Sequence, residues 1–99
     1  MTISTIIPVY KNKEMTLRNL RTNYPYIKDT QVILIDDASG EDVERDIVKL
    51  YPEIVCITNT KNLGFGGAVN KGLAKATGDY ILLLNNDVVL RDTSYRKSL

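Results

Sequence analysis

The sequence has no histidine, so the commonest metal ligand and the commonest general base are both missing. Its one cysteine, Cys56, has no second thiol to pair with. That excludes an internal disulfide and fits a reducing compartment. Charge of one sign is also lacking: thirteen basic residues stand against twelve acidic ones, a net charge of +1. No electrostatic field therefore points to nucleic acid or an anionic membrane. The longest apolar run, residues 80–84, is far too short to cross a bilayer. No basic region precedes a long apolar stretch at the N-terminus, so no signal peptide is expected. Internal repeats, low-complexity tracts and linkers are absent as well.

What is present is the composition of one globular domain. Ninety-nine residues suit a single domain, and a chain this short buries only about 60–68% of its unfolded surface, so its core is thin. The 43% hydrophobic and 25% charged fractions exclude a disordered chain. Short β-branched runs alternate with helical patterns. Residues 3–9 (ISTIIPV) read as a strand. Leu17, Leu20 and Tyr24 recur at i, i+3, i+7 and predict a helix that Pro25 stops. Residues 31–35 (QVILI) predict a second strand. Ser39, with Asp42 three residues on, predicts a capping-box-like start for a second helix. Val43, Ile47, Leu50 and Tyr51 would form its apolar face, with Pro52 after its end. Residues 54–58 predict a third strand and residues 59–66 a loop. Val69, Leu73 and Ala76 mark a third helix, closed by Gly78 at its C′ position. Residues 80–84 predict a fourth strand, and their unbroken apolar run suits a strand buried on both faces.

The order βαβαβαβ predicts an α/β fold: a Rossmann-like parallel sheet with right-handed crossovers and helices on both faces. Such sheets bind ligands beyond the carboxyl ends of their strands. Polar, acidic and glycine residues gather at those ends. Of Asp36 and Asp37, neighbours on a strand, only one can face the crevice. There a carboxylate could accept the imide N–H of a pyrimidine ring or a ribose hydroxyl, or it could serve the positive end of a helix. Residues 62–68 (NLGFGGA) could cradle phosphate with backbone N–H groups, or they could let a helix approach the sheet. They are not a dinucleotide fingerprint. They follow the third strand, residues 59–63 separate them from it, and the third glycine would fall at Val69. Asn85-Asn86-Asp87 suits a hard divalent ion that holds phosphates, or a plain Asx-rich turn. Cys56 reads as a small buried hydrophobe.

Taken together, these segments resemble the nucleotide-binding half of the family 2 glycosyltransferases with the GT-A fold. The pieces that carry the resemblance are Ile6-Ile7-Pro8-Val9-Tyr10, Ile35-Asp36-Asp37-Ala38-Ser39, residues 62–72 (NLGFGGAVNKG), and residues 76–80 running into Leu84-Asn85-Asn86-Asp87. The resemblance implies transfer of a sugar from a nucleotide-sugar donor, UDP- or dTDP-linked, with inversion at the anomeric carbon, to a glycan or lipid-linked acceptor. It implies that Pro8, Val9 and Tyr10 line the nucleobase pocket, with Tyr10 stacking on the ring. Asp37, with Asp36 as the alternative, would contact base or ribose. Gly64, Gly67 and Asn70 would shape the base and ribose wall. Asn85 and Asn86 would face the donor, and Asp87 would be the carboxylate for Mg²⁺ or Mn²⁺. Asn85 stands where the family carries the first acid of its D-x-D motif, so the site has one charge fewer. A cytoplasmic location is implied, with peripheral contact at the inner face of the cell membrane as its extension.

The family's catalytic domain continues past this motif into an acceptor-binding half that carries the catalytic Asp or Glu. After Leu90 this sequence offers residues 91–99 (RDTSYRKSL), which resemble the start of one more helix. Residues 1–99 are therefore expected to form a donor-binding half, with the acceptor half absent, the base beyond residue 99, and no transfer by the chain alone. A non-catalytic nucleotide-binding module is the alternative. A receiver-like signalling domain fits less well. It needs its acidic pair after the first strand and a lysine after a fifth, whereas here the pair follows the second strand and no fifth strand is evident.

Overall fold

The structure is a computed structural model that describes residues 2–98. Its elements are β1 (Ile3–Val9), α1 (Lys13–Ile27), β2 (Gln31–Asp36), α2 (Val43–Leu50), β3 (Val55–Thr58), α3 (Gly64–Lys75) and β4 (Tyr80–Leu83), followed by a 3-10 turn at Ser94–Ser98. The four strands form one parallel sheet in the order β3-β2-β1-β4. Alternation along the strands sorts the core onto two faces. Ile7, Val9, Val32 and Leu34 meet Leu20 and Ile27 of α1 and Val43 and Ile47 of α2. Ile6, Ile33 and Ile35 meet Ala68 of α3 on the other face. The expected architecture of a parallel sheet with helices on both sides is what the chain adopts. Among the described residues, no helix is long and apolar enough to cross a membrane.

Several local expectations are corrected. The α1 helix passes through Pro25 and ends at Ile27. Pro25 and Arg21 are both exposed, so water can take the carbonyl that the proline nitrogen leaves without a donor. The inward face of α1 is Thr16, Leu20, Asn23 and Ile27, with Leu17 and Tyr24 packed at its margin. Ser39 does not cap α2. That helix starts at Val43 after Asp42, which has φ 56° and makes no side-chain cap. Ser39 instead ties two loops together: its Oγ accepts the Lys11 N–H at 2.6 Å, and its own N–H donates to Asp36 Oδ1 at 3.1 Å. At the far end of α2, Leu50 is exposed, so Val43 and Ile47 carry its contact with the sheet.

In α3 the buried pair is Ala68 and Gly72, and Leu73 is exposed. Small residues decide this face because the helix sits close to the sheet. A Cβ on Gly72 would lie 2.8 Å from Ile6 Cγ2 and 2.9 Å from Ile35 Cδ1. Gly78 is not the C′ residue, since α3 ends at Lys75 with an extended Ala76 after it. Gly78 lies against β1 and donates its N–H to Ser4 Oγ at 2.8 Å. Nor is β4 buried on both faces: Tyr80, Ile81 and Leu83 are 40–45% exposed, because β4 pairs with β1 alone and forms an edge of the sheet.

The strand order places a switch point beside β1. From β1 the chain steps through α1 to β2 and through α2 to β3, then crosses through α3 to the other side of β1. Ligand crevices in open parallel sheets open at such points. Pro8 opens this one. The Ile6 carbonyl accepts Leu84 N–H, and the Val9 carbonyl accepts Asp37 N–H. Even-numbered residues of β1 thus turn their backbone groups toward β4 and odd-numbered ones toward β2. Pro8 has no N–H to continue the β4 ladder, so the chain peels away from β1 after Leu84.

Candidate functional site

A cavity of about 460 Å³ lies over this gap. The end of β1 supplies Pro8, Val9 and Tyr10, and the end of β2 supplies Asp37. The entry to α3 supplies Asn62, Gly64, Phe65 and Ala68, and the turn after β4 supplies Asn85, Asn86 and Asp87. Tyr10 and Phe65 are 51% and 58% exposed, so both rings are open to a planar ligand.

Asp37 organises the floor. It is buried and accepts three hydrogen bonds. Asn59 Nδ2 and the Leu63 N–H reach Oδ1, and the Gly64 N–H reaches Oδ2, each at 2.9 Å. Burial alone would push its pKa up, but the donors from Leu63, Asn59 and Gly64 outweigh it and hold the carboxyl below its ordinary range. The carboxylate thereby fixes the N-terminus of α3, where Gly64 takes φ +80°, a conformation that glycine adopts without a Cβ penalty. Asp36 does not line the cavity, and its Oδ1 accepts the Ser39 N–H. As alternation along the strand requires, one carboxylate of the pair lines the crevice, and it is Asp37.

Asn85-Asn86-Asp87 forms a turn closed by the Val88 N–H on the Asn85 carbonyl at 3.1 Å. Asp87 is exposed, and its carboxylate has no hydrogen-bond or ion-pair partner among the described residues. Among the described residues, no group of three or more His, Cys, Asp or Glu could hold a metal unaided. The oxygens of Asp87 and the Asn85 amide suit a hard ion such as Mg²⁺ or Mn²⁺, which takes one or two carboxylates together with phosphate oxygens and water. That donor set fits a divalent ion only with further oxygens from elsewhere to complete its shell.

The structure thus brings Pro8, Val9, Tyr10, Asp37, Gly64, Asn85, Asn86 and Asp87 together at one cavity. Asp36, Gly67 and Asn70 do not line it. Gly67 packs against Leu63 within the first turn of α3, and Asn70 is exposed farther along that helix. Asn62, Phe65 and Ala68 line the cavity although only Gly64, Gly67 and Asn70 of their segment were singled out. Their signal was position, since they share a strand-end loop with Gly64. Cys56 is half-buried, and burial pushes its thiol up to about 12, which leaves it an unreactive core residue.

Residues 4–98 match the family described as Glycosyl transferase family 2. The chain is 33% identical over 90 residues to the Pre-mycofactocin glycosyltransferase of Mycobacterium tuberculosis, covering 90% of this chain and 18% of that protein. It is 33% identical over 105 residues to an uncharacterized glycosyltransferase of Haemophilus influenzae, covering 98% of this chain and 40% of that protein. The fold is similar to that of mannosyltransferase PcManGT from Pyrobaculum calidifontis, solved in complex with GDP-Man and Mn²⁺. The TM-score is 0.79 at 20% identity, over 93% of this chain and 29% of that one. S. aureus TarS 1–349 in complex with UDP-GlcNAc is similar with a TM-score of 0.79 at 20% identity, over 99% of this chain and 30% of that one. This chain spans less than half the length of each of these proteins.

Proposed function

The chain belongs to glycosyl transferase family 2, and from that premise we propose that its cavity is the donor site of a nucleotide-sugar-dependent, inverting sugar transfer to a glycan or lipid-linked acceptor. The observation that carries the reading is the convergence of Tyr10, Asp37 and Asp87 on one cavity at the switch point of the sheet. The base of a UDP- or dTDP-sugar stacks on Tyr10. Asp37 keeps acceptor capacity on Oδ2, which takes one hydrogen bond where Oδ1 takes two, and that oxygen can receive an imide N–H or a ribose hydroxyl. The Leu63 and Gly64 N–H groups already serve Asp37, so the entry of α3 is not where the phosphates rest. They lie toward Asp87, whose negative charge would repel them unless a cation intervenes. Asp87 and Asn85 would hold that ion, which supplies charge neutralisation for the nucleoside diphosphate as it leaves.

None of the three acids near the cavity is free to take a proton from an acceptor hydroxyl. Asp36 does not line the cavity, the Asp37 carboxyl is held below its ordinary range and is a weak base, and Asp87 would face the ion. Residues 2–98 on this reading bind donor without completing transfer.

Calorimetric titration of UDP and dTDP, each with and without Mn²⁺ or Mg²⁺, tests the reading. The metal should raise affinity, and Asp87→Ala should abolish that gain. A charge-assisted contact is worth about 1.5–3 kcal/mol, or about 10–150-fold in affinity. Failure of both nucleotides to bind with metal present would overturn the proposal, as would Asp87→Ala binding like wild type.

A further inference from the structure

The inward face of α1 spends two of its buried positions on polar side chains, Thr16 and Asn23, in a domain whose core is small. Neither bonds to the sheet. Asn23 Nδ2 donates to the Val88 carbonyl at 2.8 Å, and its Oδ1 accepts the Leu90 N–H at 2.7 Å. Asn19 Nδ2 donates to the Asn86 carbonyl at 2.9 Å. Asn86 Nδ2 donates to Thr16 Oγ1 at 3.0 Å, and that hydroxyl donates in turn to the Asn12 carbonyl at 3.2 Å. Thr16, Asn19 and Asn23 stand at i, i+3 and i+7, on one side of the helix. They grip the chain at 86, 88 and 90. Asp87 lies inside that grip with its own side chain left free.

We propose that Thr16, Asn19 and Asn23 are positioning residues for Asp87, acting through the backbone on either side of it. The inference rests on the donor-site reading above and adds residues outside the cavity to it. The need arises at Pro8. Once β4 has peeled away from β1, no strand neighbour holds residues 85–90, and the turn's own bond from Val88 N–H to the Asn85 carbonyl cannot fix its orientation against the sheet. A metal-binding carboxylate must be held within about 0.5 Å to work. The amides of α1 replace the missing ladder.

A purely structural role would satisfy the same bonds, and Asn19 separates the two. It is half-buried and holds a single carbonyl that water can solvate if it is released. Asn19→Ala should therefore fold normally and melt within a few degrees of wild type. It should cut the Mn²⁺-dependent gain in UDP affinity about tenfold, the loss typical when the outer support of a metal ligand is removed. UDP affinity without metal should stay within about twofold. Thr16→Val should show the same split, and Thr16→Ser, which keeps the hydroxyl, should retain the wild-type gain. A full metal-dependent gain in Asn19→Ala would overturn the inference, as would an equal loss with and without metal. If wild type itself shows no metal-dependent gain, and Asp87→Ala matches it, the donor-site reading fails and this inference falls with it.

Discussion

At the scale of single residues, Asp37 shows how a cavity-facing group can also hold its own site together. Alternation along β2 was enough to say that one acid of the pair faces the crevice. It could not say that the acid's partners would be N–H groups at the start of α3, because nothing local to residues 36–39 names a partner so far along the chain. Asp37→Asn places an amide N–H₂ against donors on at least one side, so one or more of its three hydrogen bonds is lost. The cost should be about 1–3 kcal/mol, read as a fall of several degrees or more in melting temperature. UDP affinity should fall as well. The pH dependence has a definite sign. The folded-state pKa of Asp37 is depressed, so its stabilisation is full above the unfolded value of about 3.9 and is lost as pH falls through the folded value. The stability gap between wild type and Asp37→Asn should hold steady from neutral pH to about pH 5 and close below about pH 4. Denaturant melts across that range check it, and a gap independent of pH would contradict it.

At the scale of elements, all four strands and three helices were legible, because periods of 2 and 3.6 with Pro and Gly punctuation mark them directly. The faces were less legible than the elements. Thr16 and Asn23 fall outside the apolar stripe that marked the helix, and their partners at Asn86, Val88 and Leu90 lie beyond any local pattern. The spacing of Thr16, Asn19 and Asn23, three uncharged polar residues on one side of a helix, was the available signal. The apolar periodicity marked Val69, Leu73 and Ala76 as the inner face of α3, yet Gly72 is where the helix meets the sheet. Gly72→Ala would press a methyl group against Ile6 and Ile35. Helix propensity would favour the change by about 1 kcal/mol, but overpacking should cost about 1–3 kcal/mol. We expect net destabilisation, because the Ile6 contact is with a group branched at Cβ that cannot swing aside. Thermal unfolding decides it, and a melting point at or above wild type would show that α3 can shift outward.

At the scale of the whole molecule, β4 leaves one edge of the sheet unpaired, with Tyr80, Ile81 and Leu83 exposed. The unbroken apolar run that marked residues 80–84 as a strand could not distinguish a buried strand from an uncovered one. Unprotected apolar edges template association, so the 99-residue chain should self-associate with rising concentration. Ile81→Lys should return it to monomer in sedimentation experiments, and a monodisperse wild-type monomer throughout would contradict that expectation. The central claim is that the cavity at the carboxyl ends of the strands receives a nucleotide. Amide chemical-shift mapping of the labelled chain with UDP and Mg²⁺ tests it most directly. The account predicts shifts that saturate together at Tyr10, Gly64, Phe65 and Asp87, with Thr2, Gln31 and Thr77 at the opposite end of the strands unmoved. Shifts confined to that opposite end, or none at millimolar UDP, would contradict it.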